Sequence, residues 1–351
     1  MIGPEHAADP AATRADAAAP ASNGGGAGAG TALSQPAVAG KPGSAGGAGS
    51  VAMPKEPATN SAGMAAPAAA SAGVGGMVAA PSAAGSGAAG VGGMVASSFP
   101  PVSDLGGEGP YKTMTVMNTG PSSGYTIYRP AELAPGGAKN PVVAWMSGGG
   151  STPSQYELLP HLASHGFVVI ASNTSPGVGE EVELGKELIA GLEWLIGEST
   201  APASAYFEKV DASKLASMGY SMGALATTTI GGDKRLTTTI HISGGNMMTD
   251  RVKMLHAPAA FVCGASGTDI AGANCATDFD ATMAPVFYAV FNGGDHLGVR
   301  TQPYAGRIQI LVTAWLRWQL MSDMSLASMF VGDQCTFCKD PNWTVKQKGL
   351  M

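Results

Sequence analysis

Leu215-Ala-Ser-Met-Gly219-Tyr220-Ser221-Met222-Gly223-Ala-Leu-Ala-Thr-Thr-Thr-Ile230 is the stretch that decides how this chain reads. Leu215–Gly219 is a short apolar run that reads as a buried strand, and Ala224–Ile230 reads as a helix. Between them, Gly219-Tyr220-Ser221-Met222-Gly223 sets a serine where the backbone must pass at once from strand to helix. Side chains beside so tight a turn would clash. Glycines at the two flanking positions remove the clash and leave the hydroxyl exposed. The chain holds 51 glycines, so this loose pattern would arise by chance about half a time. Its place between a strand and a helix gives it weight.

The same alternation extends on both sides. Lys112–Met117, Tyr125–Tyr128, Pro141–Trp145 and Phe167–Ala171 read as strands upstream, with a helical stretch over Tyr156–His165. Glu180–Ile196 reads as a helix, because Leu184, Leu188, Leu192 and Leu195 recur at helical spacing behind an acidic first turn. Downstream, Thr237–Ile242, Ala259–Cys263 and Val286–Phe291 read as strands, and Ile308–Met321 as a closing helix. Continuous apolar strands alternating with helices predict an α/β fold with a mostly parallel central sheet, covered on both faces. Ligands on such sheets bind beyond the carboxyl ends of the strands, so the residues just after each strand are the ones to examine.

A serine hydroxyl needs a base to take its proton, and on this kind of fold the order is serine, acid, histidine. His296 follows the strand Val286–Phe291 in Asn292-Gly293-Gly294-Asp295-His296 and is the candidate base. Asp269 follows the strand Ala259–Cys263 and is the candidate acid, with Asp278 and Asp280 as competitors a few residues later. Asp295 is read as a loop carboxylate facing solvent or a neighbouring loop. An oxyanion hole needs two backbone N–H groups. Met222 is expected to supply one, and the loop Gly148-Gly149-Gly150 after the strand ending at Trp145 the other. A phosphate-cradling loop is the rival reading of that glycine run, but no lysine follows in the required place. Tyr220, Ser243 and Asn246 are read as substrate-binding positions.

Residues 1–102 are dominated by Ala, Gly, Pro and Ser and read as a disordered low-complexity linker. Such a segment cannot bury enough apolar surface to offset the entropy of ordering. Within it, Ala72-Gly-Val-Gly-Gly-Met-Val-Ala79 recurs at Ala89–Ala96, a repeat too short and Gly-rich for a solenoid. It reads as a spacer or as a tether to a surface. Residues 103–351 read as one catalytic domain. The net charge of −6 and a charged fraction of 13% leave no clustered basic footprint for nucleic acid. No stretch of about eighteen apolar residues predicts a transmembrane helix. Met1–Pro20 has no apolar core and does not read as a signal peptide. Four cysteines, Cys263, Cys275, Cys335 and Cys338, fit disulfides in an oxidising compartment. A secreted, cell-surface or periplasmic location is expected from the linker and the cysteines, and a monomer.

Leu162-Ala-Ser-His-Gly-Phe-Val-Val-Ile170 resembles the corresponding segment of bacterial cutinases and polyethylene terephthalate hydrolases, the polyesterase-lipase-cutinase group. The elbow Gly-Tyr-Ser-Met-Gly resembles their Gly-(Trp or His)-Ser-Met-Gly. Asn292–His296 resembles their base loop, and Gly120-Pro121 with Arg129-Pro130 resembles their first strands. The resemblance covers about residues 105–320. It implies an α/β-hydrolase fold, action on small or polymeric esters, no cofactor and no metal, and Ser221, Asp269 and His296 as the triad. Two positions depart from it. Gly148–Gly150 stands where the family usually has an aromatic residue, and Ser243-Gly244-Gly245-Asn246 where it usually has a tryptophan. The two aromatic faces that grip an aromatic polyester are missing. No cysteine stands just after His296 as a partner for Cys263, so a Cys263–Cys275 bridge around the Asp269 loop is expected instead. Cys335-x-x-Cys338 would then close a tiny loop, with a redox pair or half a zinc site as its sharper readings. The function expected is carboxylic ester hydrolysis through an acyl-enzyme. A lactone, lipid ester or amide substrate, or a non-catalytic tethered binding module, are the alternatives.

Overall fold

The computed structural model describes residues 98–245 and 249–351. The expected linker lies outside the described residues as far as residue 97, and so does Asn246. Upstream of Ser103, Phe99 is already buried in the core, and the Pro100 carbonyl accepts a hydrogen bond from Arg317 Nη2 at 2.7 Å.

The strands are β1 (Thr113–Thr119), β2 (Tyr125–Pro130), β3 (Asn140–Met146), β4 (Val168–Ser172), β5 (Val210–Tyr220), β6 (Leu236–Ile242), β7 (Ala259–Gly264), β8 (Val286–Phe291) and β9 (Trp343–Lys348). The helices are α1 (Leu158–Ser164), α2 (Glu181–Thr200), α3 (Met222–Ile230), the single turn α4 (Thr249–Val252), α5 (Gly272–Ala281), α6 (Tyr304–Met321) and the single turn α7 (Thr336–Lys339). The strands form one sheet in the order β1-β2-β4-β3-β5-β6-β7-β8-β9. From β4 to β8 all neighbours are parallel. The antiparallel pairs lie at the margins, β1 and β2 on one side and β9 on the other. This is the mostly parallel α/β architecture expected from the alternation.

Side-chain alternation along the strands builds the two faces. Val143 and Trp145 of β3 pack with Leu159 and Leu162 of α1 and with Leu311, Val312 and Trp315 of α6. Val142, Ala144 and Met146 point the other way, onto the leucine stripe of α2 and Ala226 of α3. Two large buried side chains of α6 find polar partners. Trp315 Nε1 donates to Thr238 Oγ1 at 2.8 Å, and the fully buried Arg317 pairs with Asp323 at 2.9 Å. A third cluster packs Cys275 and Phe279 of α5 against β7 and β8. Both cysteine pairs are joined, Cys263 to Cys275 and Cys335 to Cys338. The second bond leaves no pair of thiolates for a zinc ion.

Four elements were not expected: the single turns α4 and α7, helix α5 and strand β9. Helix α5 carries Gly272, Asn274, Thr277 and Asp278, residues of modest helix propensity. Strand β9 is half polar, and only Trp343 and Val345 turn inward. Elsewhere the expected and observed bounds agree within a few residues. The largest extension is β5, which begins at Val210 rather than Leu215.

Three histidines lie inside this framework. Burial pushes His161 below its ordinary value; burial and the neighbouring His161 push His165 to about 4, and burial pushes His241 to about 4. The unfolded chain would bind protons at these sites near 6.5. As pH falls from about 6.5 toward 4, the unfolded state therefore takes up protons the folded state refuses, and stability drops. The urea midpoint is expected to be lower at about pH 5 than at pH 7.5, and flat from pH 7.5 to 8.5. Equal midpoints at pH 5 and 7.5 would show that these imidazoles do not control acid stability.

Candidate active site

The carboxyl ends of β3, β5, β6, β7 and β8 deliver the candidate residues to one rim. At the end of β5 the chain enters α3 with no intervening loop, and Ser221 takes φ 51° and ψ −117°, a strained setting for a non-glycine residue. Its neighbours explain why it can exist. A Cβ on Gly219 would stand 2.2 Å from the backbone of Gly223, and one on Gly223 would stand 2.0 Å from the Met146 carbonyl oxygen. Strand, turn and helix meet without side chains between them. The Ser221 N–H donates to the Ile242 carbonyl at 2.9 Å and ties the turn to β6.

Ser221 Oγ lies 3.0 Å from His296 Nε2, and His296 Nδ1 lies 2.8 Å from Asp269 Oδ1. With Asp269 accepting at Nδ1–H, Nε2 is left as the acceptor for the serine proton. The Asp269 side chain is wholly buried. Oδ1 also accepts from the Ala271 N–H and Oδ2 from the Gly264 N–H, both at 2.8 Å. Burial alone would raise its pKa, but hydrogen bonding from His296, Ser243 and the Ala271 and Gly264 amides brings it below the ordinary value. Asp269 is thus an anion at neutral pH. The competitors Asp278 and Asp280 sit in α5, and it is Asp269 that meets the imidazole. Asp295 accepts from the Gly298 N–H at 2.7 Å and closes the turn beyond His296.

The glycine loop after β3 resolves into three different amides. Gly148 N–H donates to the Tyr156 hydroxyl at 3.1 Å, and Gly150 N–H to the Pro176 carbonyl at 3.2 Å. Among the described residues, the Gly149 N–H makes no hydrogen bond, and Gly149 is exposed beside Met222. The Met222 N–H opens α3 and, being in the first turn, has no partner inside the helix. Tyr156 and the Ser151 hydroxyl, 2.6 Å apart, hold the loop from behind.

Two of the positions read as substrate-binding are placed elsewhere. Tyr220 is buried, and its hydroxyl donates to the His296 carbonyl at 2.5 Å, so it braces the base loop. Ser243 is fully buried behind Asp269. Two apolar side chains next in sequence to the candidate acid and base, not singled out in the sequence, are exposed: Ile270, after Asp269, is 82% exposed, and Leu297, after His296, is 60% exposed. Adjacency to the acid and the base was the signal available for both.

Replacing Gly223 by Ala is expected to cost about 3 kcal/mol or more, because the new methyl must displace β3 backbone. In a domain of this size that lowers the thermal midpoint by roughly 6–12 °C. A midpoint within a degree of the parent would contradict the packing described for the turn.

A family model described as PETase, PET hydrolase-like, matches residues 100–340. Among curated proteins, Cutinase est2 of Thermobifida alba is 38% identical over 105 residues, 30% of this chain and 33% of its own length. Cutinase 2 of Thermobifida cellulosilytica is 36% identical over 105 residues, 30% and 37% of the respective chains. Bis(hydroxyethyl) terephthalate hydrolase of Streptomyces coelicolor is 33% identical over 129 residues, 34% and 38% of the respective chains. The chain therefore spans about a third of the length of the curated relatives it matches.

Proposed function

The chain belongs to the PET hydrolase-like family, and from that premise we propose that it hydrolyses carboxylic esters through an acyl-enzyme on Ser221. The observation that carries the reading is the unbroken chain Ser221 Oγ–His296 Nε2 at 3.0 Å and His296 Nδ1–Asp269 Oδ1 at 2.8 Å.

In this mechanism Ser221 Oγ attacks the ester carbonyl while His296 Nε2 takes its proton. Asp269 holds the ring in the required tautomer and stabilises the imidazolium. The carbonyl oxygen becomes an oxyanion and accepts from the Gly149 and Met222 N–H groups, neither of which has a partner among the described residues. Collapse of the tetrahedral species breaks the bond to the alkoxy oxygen, which leaves with the proton from His296. Water then repeats the cycle on the acyl-enzyme and releases the acid and free Ser221. No cofactor or metal takes part. Ile270 and Leu297 give the mouth an apolar rim, suited to an uncharged acyl or alcohol group of a small or polymeric ester. The two disulfides suit an oxidising compartment outside the cytoplasm, so we place the enzyme there.

With p-nitrophenyl butyrate, Ser221→Ala is expected to lower kcat about ten-thousandfold or more. A fluorophosphonate probe is expected to label the parent once per chain, at Ser221. Parent-like turnover in the variant removes the assignment, and a parent that neither reacts with the probe nor turns over favours a binding module. For the rim, Leu297→Asp and Ile270→Asp are each expected to raise KM for the butyrate by up to about tenfold, through lost apolar burial. Parent-like KM in both would place the acyl chain elsewhere.

A further inference from the structure

Two buried hydroxyls behind the candidate acid have no role in the chemistry above. Ser243 follows β6 directly, at φ 44°, and is fully buried. Its N–H donates to the Val262 carbonyl at 2.8 Å, which holds the strained residue against β7. Tyr304 opens α6, and its ring stacks on Phe291 with centroids 4.9 Å apart and planes 7° from parallel. The same ring lies beneath the base loop. A Cβ on Gly294 would meet it at 3.0 Å and one on Gly298 at 2.7 Å. Those two glycines straddle His296, so the loop is shaped to the tyrosine.

Among the described residues, neither the Ser243 hydroxyl nor the Tyr304 hydroxyl has a hydrogen-bond partner, although both are shut off from solvent. Buried hydroxyls without partners are costly and rare. Their surroundings supply the missing partners. Ser243 faces both Asp269 and Tyr304 closely enough to lower the pKa of each, and the Asp269 charge in turn raises that of Tyr304. An ionised carboxylate offers about four acceptor sites. On Asp269, Oδ1 already accepts from His296 and Ala271, whereas among the described residues Oδ2 accepts from Gly264 only. One acceptor site on Oδ2 stays open.

We propose that Ser243 and Tyr304 are positioning residues that form a relay, Tyr304 O–H to Ser243 Oγ and Ser243 O–H to Asp269 Oδ2. A small adjustment of the Ser243 and Tyr304 side chains completes it. The relay ties the ends of β6, β7 and β8 together at the acid. It fixes the carboxylate while its other oxygen answers the imidazolium. It rests on the ester-hydrolase reading for its catalytic consequence, but not for its existence.

Tyr304→Phe keeps the ring stack and removes only the hydroxyl. Ser243→Gly removes the other hydroxyl and suits the left-handed backbone. Each is expected to lower kcat for p-nitrophenyl butyrate roughly five- to tenfold, the scale of a hydrogen bond to a charged group, with KM unchanged. The double variant is expected to fall no further than the weaker single, because both break one relay. A carboxylate that loses a donor holds the imidazolium more tightly. The base is then silenced at higher pH, and the acidic limb of the kcat/KM profile moves upward. The low-field NMR resonance of the His296–Asp269 proton is expected to shift in both variants, which tests the relay even if the parent has no esterase activity. Parent-like kcat, limb and resonance in both variants would overturn the proposal. So would a loss of kcat that tracks a lower thermal midpoint while the limb and the resonance stay put.

Discussion

Backbone against backbone at the end of β5 is the constraint from which the rest of the site follows. Gly219, Gly223 and the Met146 carbonyl approach so closely that no methyl group fits between them. That contact forces the strand into the helix in one step and leaves Ser221 in a conformation it would not choose alone. Sheet burial on both faces supplies the stability to hold it there. The serine points outward because there is no room for it to point anywhere else.

Around that fixed point the structure supports each partner from a different strand. Tyr220 belongs to β5, yet its hydroxyl grips the main chain of His296, beyond β8. Asp269 is held by two amides and lies inside the ring closed by Cys263 and Cys275. The oxyanion loop leans on Tyr156, so that one glycine amide is braced, another is tied to Pro176, and Gly149 between them is left open. The arrangement is redundant in its bracing and sparing in its free donors.

Much of this was legible in the chain because the strongest signals are local. Short apolar runs announce β3, β4, β7 and β8, which are buried along their length, and the second half of β5. Ser221, His296 and Asp269 follow their strands by a few residues, so element order picked them out in the sequence as candidates. The signals that failed are those in which tertiary context outweighs propensity. Helix α5 is written in Gly, Asn, Thr and Asp, and it is held by Phe279 in the core and by the disulfide at Cys275. Strand β9 presents one face to solvent and is framed by its pairing with β8. Tyr220 and Ser243 sit at the right stations, but a sequence does not say whether a side chain after a strand looks outward at a ligand or inward at its neighbours. Here both look inward.

The pairing at the β8 margin has a consequence for how the molecule is made. Asn292, at the root of the base loop, donates through its main chain to the Asn342 carbonyl and through its side chain to the Pro341 carbonyl, both at 2.9 Å. Its amide oxygen accepts from the Thr344 hydroxyl at 2.7 Å. These anchors leave the ribosome some fifty residues after Asn292 does. During synthesis the serine turn can form long before the base loop is clamped, so assembly of the site is the closing act of biogenesis.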